Sequence, residues 1–502
     1  MNLLLVVPRF TLNIKRSYSF PIGLAYISAA LKNAKFNVKI LNLNQVDGDI
    51  DKLIKKSIIS NNIDVVLSGG LSQHINLLKD IFTITKNINN NIITIGGGGA
   101  YTSEPLLFSK LTNVDYAVLG EGEITTVELI KALKNNENID SLEGIVHKKN
   151  GHYIKNNDRA VISDINSIAF PDYDSFGMDE YLSNQYTNDI YFMYKDDEPR
   201  NFSMIMGRSC PYSCNFCFHP LGNKYRQRSL DNFFEELDIV IAKYKINSLS
   251  IYDELFSSNK QRVYDFCVRI KPYKLKWIVQ MRVDIIEDEL LKAMKDAGCY
   301  YISYGIESFS DKILLNMKKK INKKDIEKAL ELTYKNEIGI QGNFIFGDEM
   351  EDWDTFNETM AWWRENRKYQ LNINFIIALP GTQLYKNAIK TGRIPDSAKF
   401  IKDGCPIINL TSLPDEDFNN MMNIVSKESK VNPIKGEVIS IKEQAYRTYT
   451  MKLKCYHCGH ENTIKNIYID SKIKDISNFK MGCRNCNRKS SYDLSVKTNV
   501  ML

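Results

Sequence analysis

The chain has 502 residues, 43% hydrophobic and 25% charged, with a net charge of +6. That is ordinary globular composition, long enough for roughly two to four domains, and so small a charge makes no case for nucleic acid or an anionic membrane as partner. The opening Met-Asn-Leu-Leu-Leu-Val-Val-Pro lacks the basic segment and cleavage site of a signal peptide, and no run of about 18 apolar residues marks a membrane span, so a cytoplasmic protein is expected.

Residues 1–140 alternate apolar runs with helical patterns. Strands are predicted at Leu3–Val7, Val38–Leu41, Val65–Ser68, Ile92–Ile95 and Tyr116–Leu119, with amphipathic helices at Leu24–Leu31 and Val127–Leu133. Continuously apolar strands suit a parallel sheet buried on both faces, which predicts an α/β, doubly wound, flavodoxin- or Rossmann-like domain. Such sheets bind ligands beyond the carboxyl ends of their strands. Small residues gather at those ends: Ser68, Gly69 and Gly70, then Gly96, Gly97 and Gly98, then Gly120 followed by Glu121.

Residues 141–197 are polar and read as a connector, with a hairpin near Gly144–Ile154. Residues 198–392 alternate again, with strands at Ser203–Met206, Ser248–Tyr252, Trp277–Met281, Tyr301–Tyr304, Ile338–Phe346 and Asn372–Ala378. Six strand–helix units predict a partial (β/α)6 barrel of the TIM type, whose chemistry belongs at the C-terminal strand ends. Tyr301 and Tyr304 are candidates to face its interior.

Directly after the first barrel strand stand Cys210, Cys214 and Cys217. Iron–sulfur clusters normally take four thiolates, so three leave a 4Fe-4S cubane one ligand short, with one iron open to a small molecule. A zinc site or a chance gathering of thiols are the alternatives. Cys267, Cys299 and Cys405 stand alone and are expected in the core. Residues 393–450 read as a mixed helix and coil extension. Residues 451–502 read as a zinc-ribbon-like module. Its Cys455, Cys458, Cys483 and Cys486 form two C-x2-C knuckles that suit a closed four-thiolate structural site, with zinc favoured over iron or an auxiliary cluster. The nearby Lys452, Lys454, Lys465, Arg484, Arg488 and Lys489 read as a solvated face, and His457 and His460 as surface residues.

Phe216 completes a C-x3-C-x-aromatic-C form, and with it the chain closely resembles the radical S-adenosylmethionine (SAM) enzymes that carry an N-terminal cobalamin-binding domain. The resemblance rests on motif order over residues 1–395: Pro21–Tyr26, Ile95–Ala100, the Gly120-Glu121-Gly122-Glu123 segment, Tyr252–Phe256, Arg282 with Asp284, Gly305–Ser308, Phe344–Gly347 and Pro380-Gly381-Thr382. It implies that Cys210, Cys214 and Cys217 hold the cluster. It also implies SAM contacts from Phe216, Asp253, Glu254, Arg282, Glu307, Ser308 and Ile345, and cobalamin contacts from Ser68, Gly69, Gly70, Gly96, Gly97, Gly98, Gly120 and Glu121. The residue-level alternatives are a helix cap for Asp253 or Glu254, a structural ion pair for Arg282 and loop-ordering bonds for Glu307 or Ser308.

Two departures stand out. No Asp-x-His-x-x-Gly motif occurs, the equivalent region being Leu41-Asn42-Leu43-Asn44, so cobalamin is expected to bind without a protein imidazole on cobalt. The proline usual after the fifth barrel strand is missing from Gly347-Asp348-Glu349-Met350-Glu351. The activity implied is generation of a 5′-deoxyadenosyl radical to methylate an unactivated carbon of a small molecule or biosynthetic intermediate, with electrons from a flavodoxin or ferredoxin. The alternatives are a cobalamin-dependent radical oxidoreductase or cyclase without methyl transfer, and a non-enzymatic cobalamin or redox sensor.

Overall fold

The computed structural model describes residues 1–11, 18–188, 194–256, 258–469 and 476–497. Its first sheet is built from β1 Asn2–Val7, β2 Asn37–Asn42, β3 Val65–Gly69, β4 Ile93–Gly97, β5 Tyr116–Val118, β6 Ile145–Lys149 and β7 His152–Lys155. The spatial order is β2-β1-β3-β4-β5-β6-β7. Strands β1 to β5 run parallel, with the flavodoxin-like 2-1-3-4-5 arrangement. β1 and β3 are buried along almost their whole length because helices cover both faces. The predicted helices fall inside Ile22–Asn33 and Gly122–Asn135. The β6–β7 hairpin is not a free-standing part of the connector. It pairs antiparallel with β5 and closes that edge of the sheet, which therefore continues to Lys155.

The second sheet is wholly parallel. Its strands are β8 Asn201–Met204, then, after the two-residue strands β9 Gly207–Arg208 and β10 Arg226–Gln227, β11 Ser248–Ile251, β12 Lys276–Met281, β13 Cys299–Glu307, β14 Gly339–Phe346 and β15 Asn372–Phe375. Their order is β8-β11-β12-β13-β14-β15, which is the chain order of a six-stranded partial barrel. The alternation along these strands is decisive for what the barrel can hold. Leu249 and Ile251, Trp277, Val279 and Met281, and Ile302, Tyr304 and Ile306 all pack into the large core under the helices. Successive strand residues point to opposite faces, so Ser248, Ser250, Gln280, Tyr301, Ser303, Gln341 and Asn343 are turned to the interior. Tyr304 thus does not face the chamber: it lies on the helix side and hydrogen-bonds Thr333 at 2.7 Å, while Tyr301, three residues earlier, faces inward.

The C-terminal part departs from expectation. Helices Ser397–Lys402 and Asp415–Ser429 are followed by β16 Glu437–Ala445, which pairs with β17 Thr448–Lys454, itself paired to β18 Glu461–Tyr468. A second hairpin, β19 Phe479–Gly482 with β20 Lys489–Tyr492, completes the module. The module has its own small core around Met451, Leu453, Ile464, Ile467 and Tyr492. Cys267, Cys299 and Cys405 are all buried, as expected.

Candidate active site

The loop carrying Cys210, Cys214 and Cys217 leaves β9 at the carboxyl end of the barrel, with all three thiols free and half-buried. It is fastened from several sides. The backbone N–H of Asn215 donates to Met317 O at 3.2 Å, its carbonyl accepts from Leu384 N at 3.0 Å, and its amide donates to Asn316 O at 3.1 Å. Tyr212 lies under the Arg282 guanidinium, 3.7 Å from its ring centre. Among the described residues, the group of ligand atoms that converges within 4.8 Å is the C-terminal cysteine quartet, not this trio. A single ion needs convergent ligands; a cubane carries its thiolates on separate irons and needs them apart.

Around this loop the other predicted residues divide by role. Asp253 is buried and accepts the Met206 backbone N–H at 2.7 Å, which ties the end of β8 to β11. Burial pushes its carboxyl up to about 7, against the lowering pull of the Gly207 and Met206 backbone N–H groups. Glu254 is 37% exposed and shares a 2.8 Å hydrogen bond with His219, two residues past Cys217. Arg282 is committed internally. It chelates Asp284 through two nitrogens and donates to the carbonyls of Lys319 and Lys320, both at 3.0 Å. Ser308 orders its own loop, accepting from Ser310 N and contacting Thr359. Phe216 and Ile345 both border the same apolar cluster.

Glu307 sits at φ +60°, a strained position for a residue with a side chain and one that often marks a functional site. Its carboxylate pairs with Lys319 at 2.7 Å, both side chains being largely buried. A Cβ on Gly305 would lie 2.5 Å from the Lys319 ammonium and 2.8 Å from Glu307 Oε1, so glycine makes the space for this pair. The ammonium also lies 5.8 Å from the Phe216 ring centre. Lys319, Asn215 and Tyr212 escaped the sequence reading, which had no local pattern to mark them.

The missing proline after β14 is replaced by side-chain bonds. Glu351 accepts the Gly347 N–H at 3.0 Å, and Asp348 accepts from Met350 N and from the Asn316 amide.

The first domain turns the carboxyl ends of its strands toward this loop. Phe218, the residue after Cys217, is wedged between the domains: a Cβ on Gly99 would meet its ring at 2.8 Å, and one on Gly381 would meet it at 3.2 Å. The glycines at the strand ends have different reasons to be glycine. Gly69 and Gly96 are required by packing, since a Cβ would lie 2.9 Å from Gly97 O and 2.2 Å from the Tyr101 ring respectively. Gly98, at φ +84°, needs both its backbone conformation and its closeness to Gly70, whose own Cβ would meet His74 at 2.9 Å. Gly97 is different: a Cβ would find nothing nearer than 3.8 Å, so it presents open backbone, while Gly120 has open space around it but stands at φ +68°, where glycine is required by conformation, and donates its N–H to Thr102 Oγ1 at 2.9 Å. Ser68 donates to Val6 O at 2.8 Å and serves the sheet.

Glu121 is not left facing a ligand. Its carboxylate takes Arg208 at 2.8 Å, Arg226 at 2.7 Å and the Ile162 N–H at 2.6 Å, and Glu123 takes Arg208 at 2.5 Å. Arg208 and Arg226 come from β9 and β10, which flank the cysteine loop, so this buried network joins the two domains.

The C-terminal quartet is a second centre. Cys455 and Cys486 sulfurs lie 3.8 Å apart, and Cys458 and Cys483 lie 3.7 Å apart. Four sulfurs at about 2.3 Å from one ion form a tetrahedron with edges of about 3.8 Å, so the geometry fits a single tetrahedral ion. Backbone N–H groups of His457 and Asn485 point at Cys455 and Cys483, each at 3.4 Å.

The basic residues here are only partly a solvated face. Arg484 pairs with Asp197 at 2.6 Å, Arg488 stacks on Tyr334 at 3.9 Å, and Lys489 is buried. His457 also docks the module, bonding Tyr334 at 3.0 Å and the Lys489 carbonyl at 2.8 Å.

The B12 binding domain family matches residues 15–130 and the Radical SAM superfamily matches residues 204–362. An uncharacterized methyltransferase of Pyrococcus horikoshii is 31% identical over 404 residues, covering 78% of this chain and 83% of that protein. An anaerobic magnesium-protoporphyrin IX monomethyl ester cyclase of Cereibacter sphaeroides is 23% identical, covering 87% of this chain and 68% of its own. The solved structure of the radical SAM methyltransferase TsrM from Kitasatospora setae, with cobalamin and a [4Fe-4S] cluster bound, superposes with a TM-score of 0.64 at 16% identity, covering 78% of each chain.

Proposed function

Because the chain belongs to the cobalamin-binding radical SAM enzymes, we propose that it transfers a methyl group from SAM to an unactivated carbon of a small molecule, with electrons from a flavodoxin- or ferredoxin-type donor in the cytoplasm. The observation that carries this reading is the meeting of two ligand faces at Phe218: the cysteine loop on one side and the glycine turn of the first domain on the other. When bound, the cluster supplies the electron that cleaves SAM, and cobalamin supplies a carrier for the methyl group.

The residues present fit both groups. Cys210, Cys214 and Cys217 are free thiols on one fastened loop, the donor set that a cubane with one open iron requires. Gly97 leaves open backbone and Gly120 open space for a corrin, as a pocket for a broad planar ligand requires. The chain's own side chains position and shield. Glu254 is the accessible carboxylate beside the loop and takes the SAM ammonium by a charge-assisted hydrogen bond. Phe216 and Ile345 give the adenine an apolar wall. Arg282 acts one step removed, holding Tyr212 and the Lys319 segment and not the nucleotide itself. The Lys319 ammonium, itself paired with Glu307, favours the Cys214 thiolate while the glutamate partly opposes it, in a nearly dry setting. Zinc in the C-terminal quartet is structural, since four thiolates leave it no open position.

The test uses anaerobically reconstituted protein, methyl-labelled SAM, a reductant and a metabolite extract of the source cells. Label appearing in a new metabolite establishes methyl transfer. 5′-Deoxyadenosine formed alongside a changed but unlabelled metabolite establishes instead the cyclase-type reading, which the similarity to the magnesium-protoporphyrin cyclase favours as second choice. Absence of corrin absorption bands after reconstitution overturns the cobalamin assignment.

A further inference from the structure

Lys318, Lys319 and Lys320 form a turn directly after the short helix Asp311–Asn316, and they divide their side chains between inside and outside. Lys319 is only 8% exposed and pairs with Glu307. Lys318 and Lys320 are exposed, at φ +55° and +54°. That left-handed region favours glycine or asparagine, so lysine is strained there at both positions. The turn lies against the cysteine loop. The Lys318 carbonyl is 3.9 Å from Cys214 Sγ, and Met317 O accepts the Asn215 N–H at 3.2 Å.

The same loop carries a third exposed lysine. The Asn223 amide donates to Ser213 Oγ at 2.7 Å, which sets the exposed Lys224 beside the residue that precedes Cys214. Leu315 is 81% exposed, and its carbonyl accepts the Lys318 N–H at 3.0 Å, so an apolar side chain stands next to the lysine turn. The carboxylates packed against this region are already partnered: Asp284 by Arg282 at 2.9 Å, Glu307 by Lys319 at 2.7 Å and Glu254 by His219 at 2.8 Å. Among the described residues none of Lys224, Lys318 and Lys320 is ion-paired. Three uncompensated positive charges therefore stand on the exposed side of the cysteine loop, and nothing in the mechanism above uses them.

We propose that Lys224, Lys318 and Lys320, with Leu315 beside them, form the docking surface for the electron donor, a small one-electron carrier protein with an acidic surface. Complementary charge steers such encounters and fixes their register more than it adds affinity, which suits a partner that must leave after each delivery. Electron-carrier encounters are small among protein interfaces, below about 1,200 Å² in total, so a compact patch suffices. The patch is part of the loop that bears the thiolates and of the turn that touches Cys214, so a carrier seated there stands one loop away from the cluster ligands. The carrier is oxidised by one electron and the cluster is reduced by that electron, with no bond made or broken. This inference rests on the reading of the three cysteines as cluster ligands.

The test is carrier binding by the full-length, cluster- and zinc-loaded protein, measured by surface plasmon resonance without SAM or substrate. Its failure is thus separate from a failure of the cluster reading, which chemical reduction with dithionite tests alone. The probes are an oxidised flavodoxin and an oxidised ferredoxin, both of net negative charge, at about 50 and about 300 mM sodium chloride. The variants are the double replacement Lys318→Asn with Lys320→Asn, which suits the left-handed backbone, and the charge reversal Lys224→Glu. Lys454→Gln, at an exposed lysine of the metal module, is the control. The expected result is saturable binding of one carrier or both, weakened at least about tenfold by the higher salt. The double replacement and Lys224→Glu should each weaken low-salt binding at least about fivefold, as for one or two lost charge contacts, and Lys454→Gln should leave it unchanged. Iron and sulfide content establish that the cluster is in place; should the double replacement lose it, Lys224→Glu is read by the same criterion. Binding of neither carrier to wild type, or equal binding by wild type and the cluster-loaded lysine variants, overturns the proposal.

Discussion

Arg208, at the start of the cysteine loop, donates to Glu121 of the first domain at 2.8 Å and to Glu123 at 2.5 Å. All three side chains are nearly excluded from solvent, and Arg226 joins the same carboxylate from the adjacent strand. A buried network of this kind adds little net stability over an apolar substitute, but removing one member strands its partners. Replacement of Arg208 by methionine is therefore expected to cost about 3 kcal/mol in urea unfolding. Adding Glu123→Gln to that variant should cost much less than Glu123→Gln alone, because the charge it removes is already unpaired.

The wedge of Phe218 against Gly99 gives a steric test of how the domains meet. Gly99→Val places a side chain where a Cβ alone would lie 2.8 Å from the Phe218 ring. Overpacking of this order costs about 1–3 kcal/mol. The thermal midpoint of Gly99→Val should fall, and Phe218→Ala in the same chain should recover part of the loss. If the two losses simply add, the rings and turn do not meet as described.

Asp253 sets a pH dependence. Burial raises its carboxyl from the ordinary 3.8 to about 7. Between those values the folded protein keeps a proton that the unfolded chain has lost, so this group's stabilising contribution is lost as pH rises through 7. Asp253→Asn removes the effect. In urea unfolding at pH 5 and pH 8, wild type should lose on the order of 2–3 kcal/mol more than Asp253→Asn across that interval. Parallel losses in the two proteins would contradict the assignment.

Much of this architecture is legible in the sequence, for identifiable reasons. The strands of the first sheet read clearly because they are buried on both faces and nearly all apolar. The two sets of cysteines read clearly because metal ligation fixes spacing. What remained hidden depends on distant partners. Arg208 and Glu121, or Lys319 and Glu307 across a turn, have no local signature as pairs. The glycines at the strand ends look alike in sequence, yet Gly96 yields to the Tyr101 ring while Gly120 faces open space. Strand β16 carries no strand signal in the sequence because it is an edge strand exposed over most of its length, with no apolar stripe to mark it. Lys489 read as a surface charge, since burial of a lysine is decided by where its hairpin docks.

The C-terminal centre predicts a clean separation of metals. Cys458→Ser should remove the bound zinc and lower the thermal midpoint, because that metal is part of the folding free energy of its module. Iron and sulfide content should stay at the wild-type level. Loss of both metals together would mean that the quartet is not an independent single-ion site.

The most direct test of the whole account is electron paramagnetic resonance of the dithionite-reduced protein, with and without SAM. If Cys210, Cys214 and Cys217 hold a cubane with one iron open to SAM, the reduced-cluster signal shifts when SAM is added, and 17O in the SAM carboxylate broadens it. Replacing the three cysteines by alanine abolishes the signal while the zinc content is retained. A reduced-cluster signal indifferent to SAM, or one that survives the triple replacement, contradicts the account.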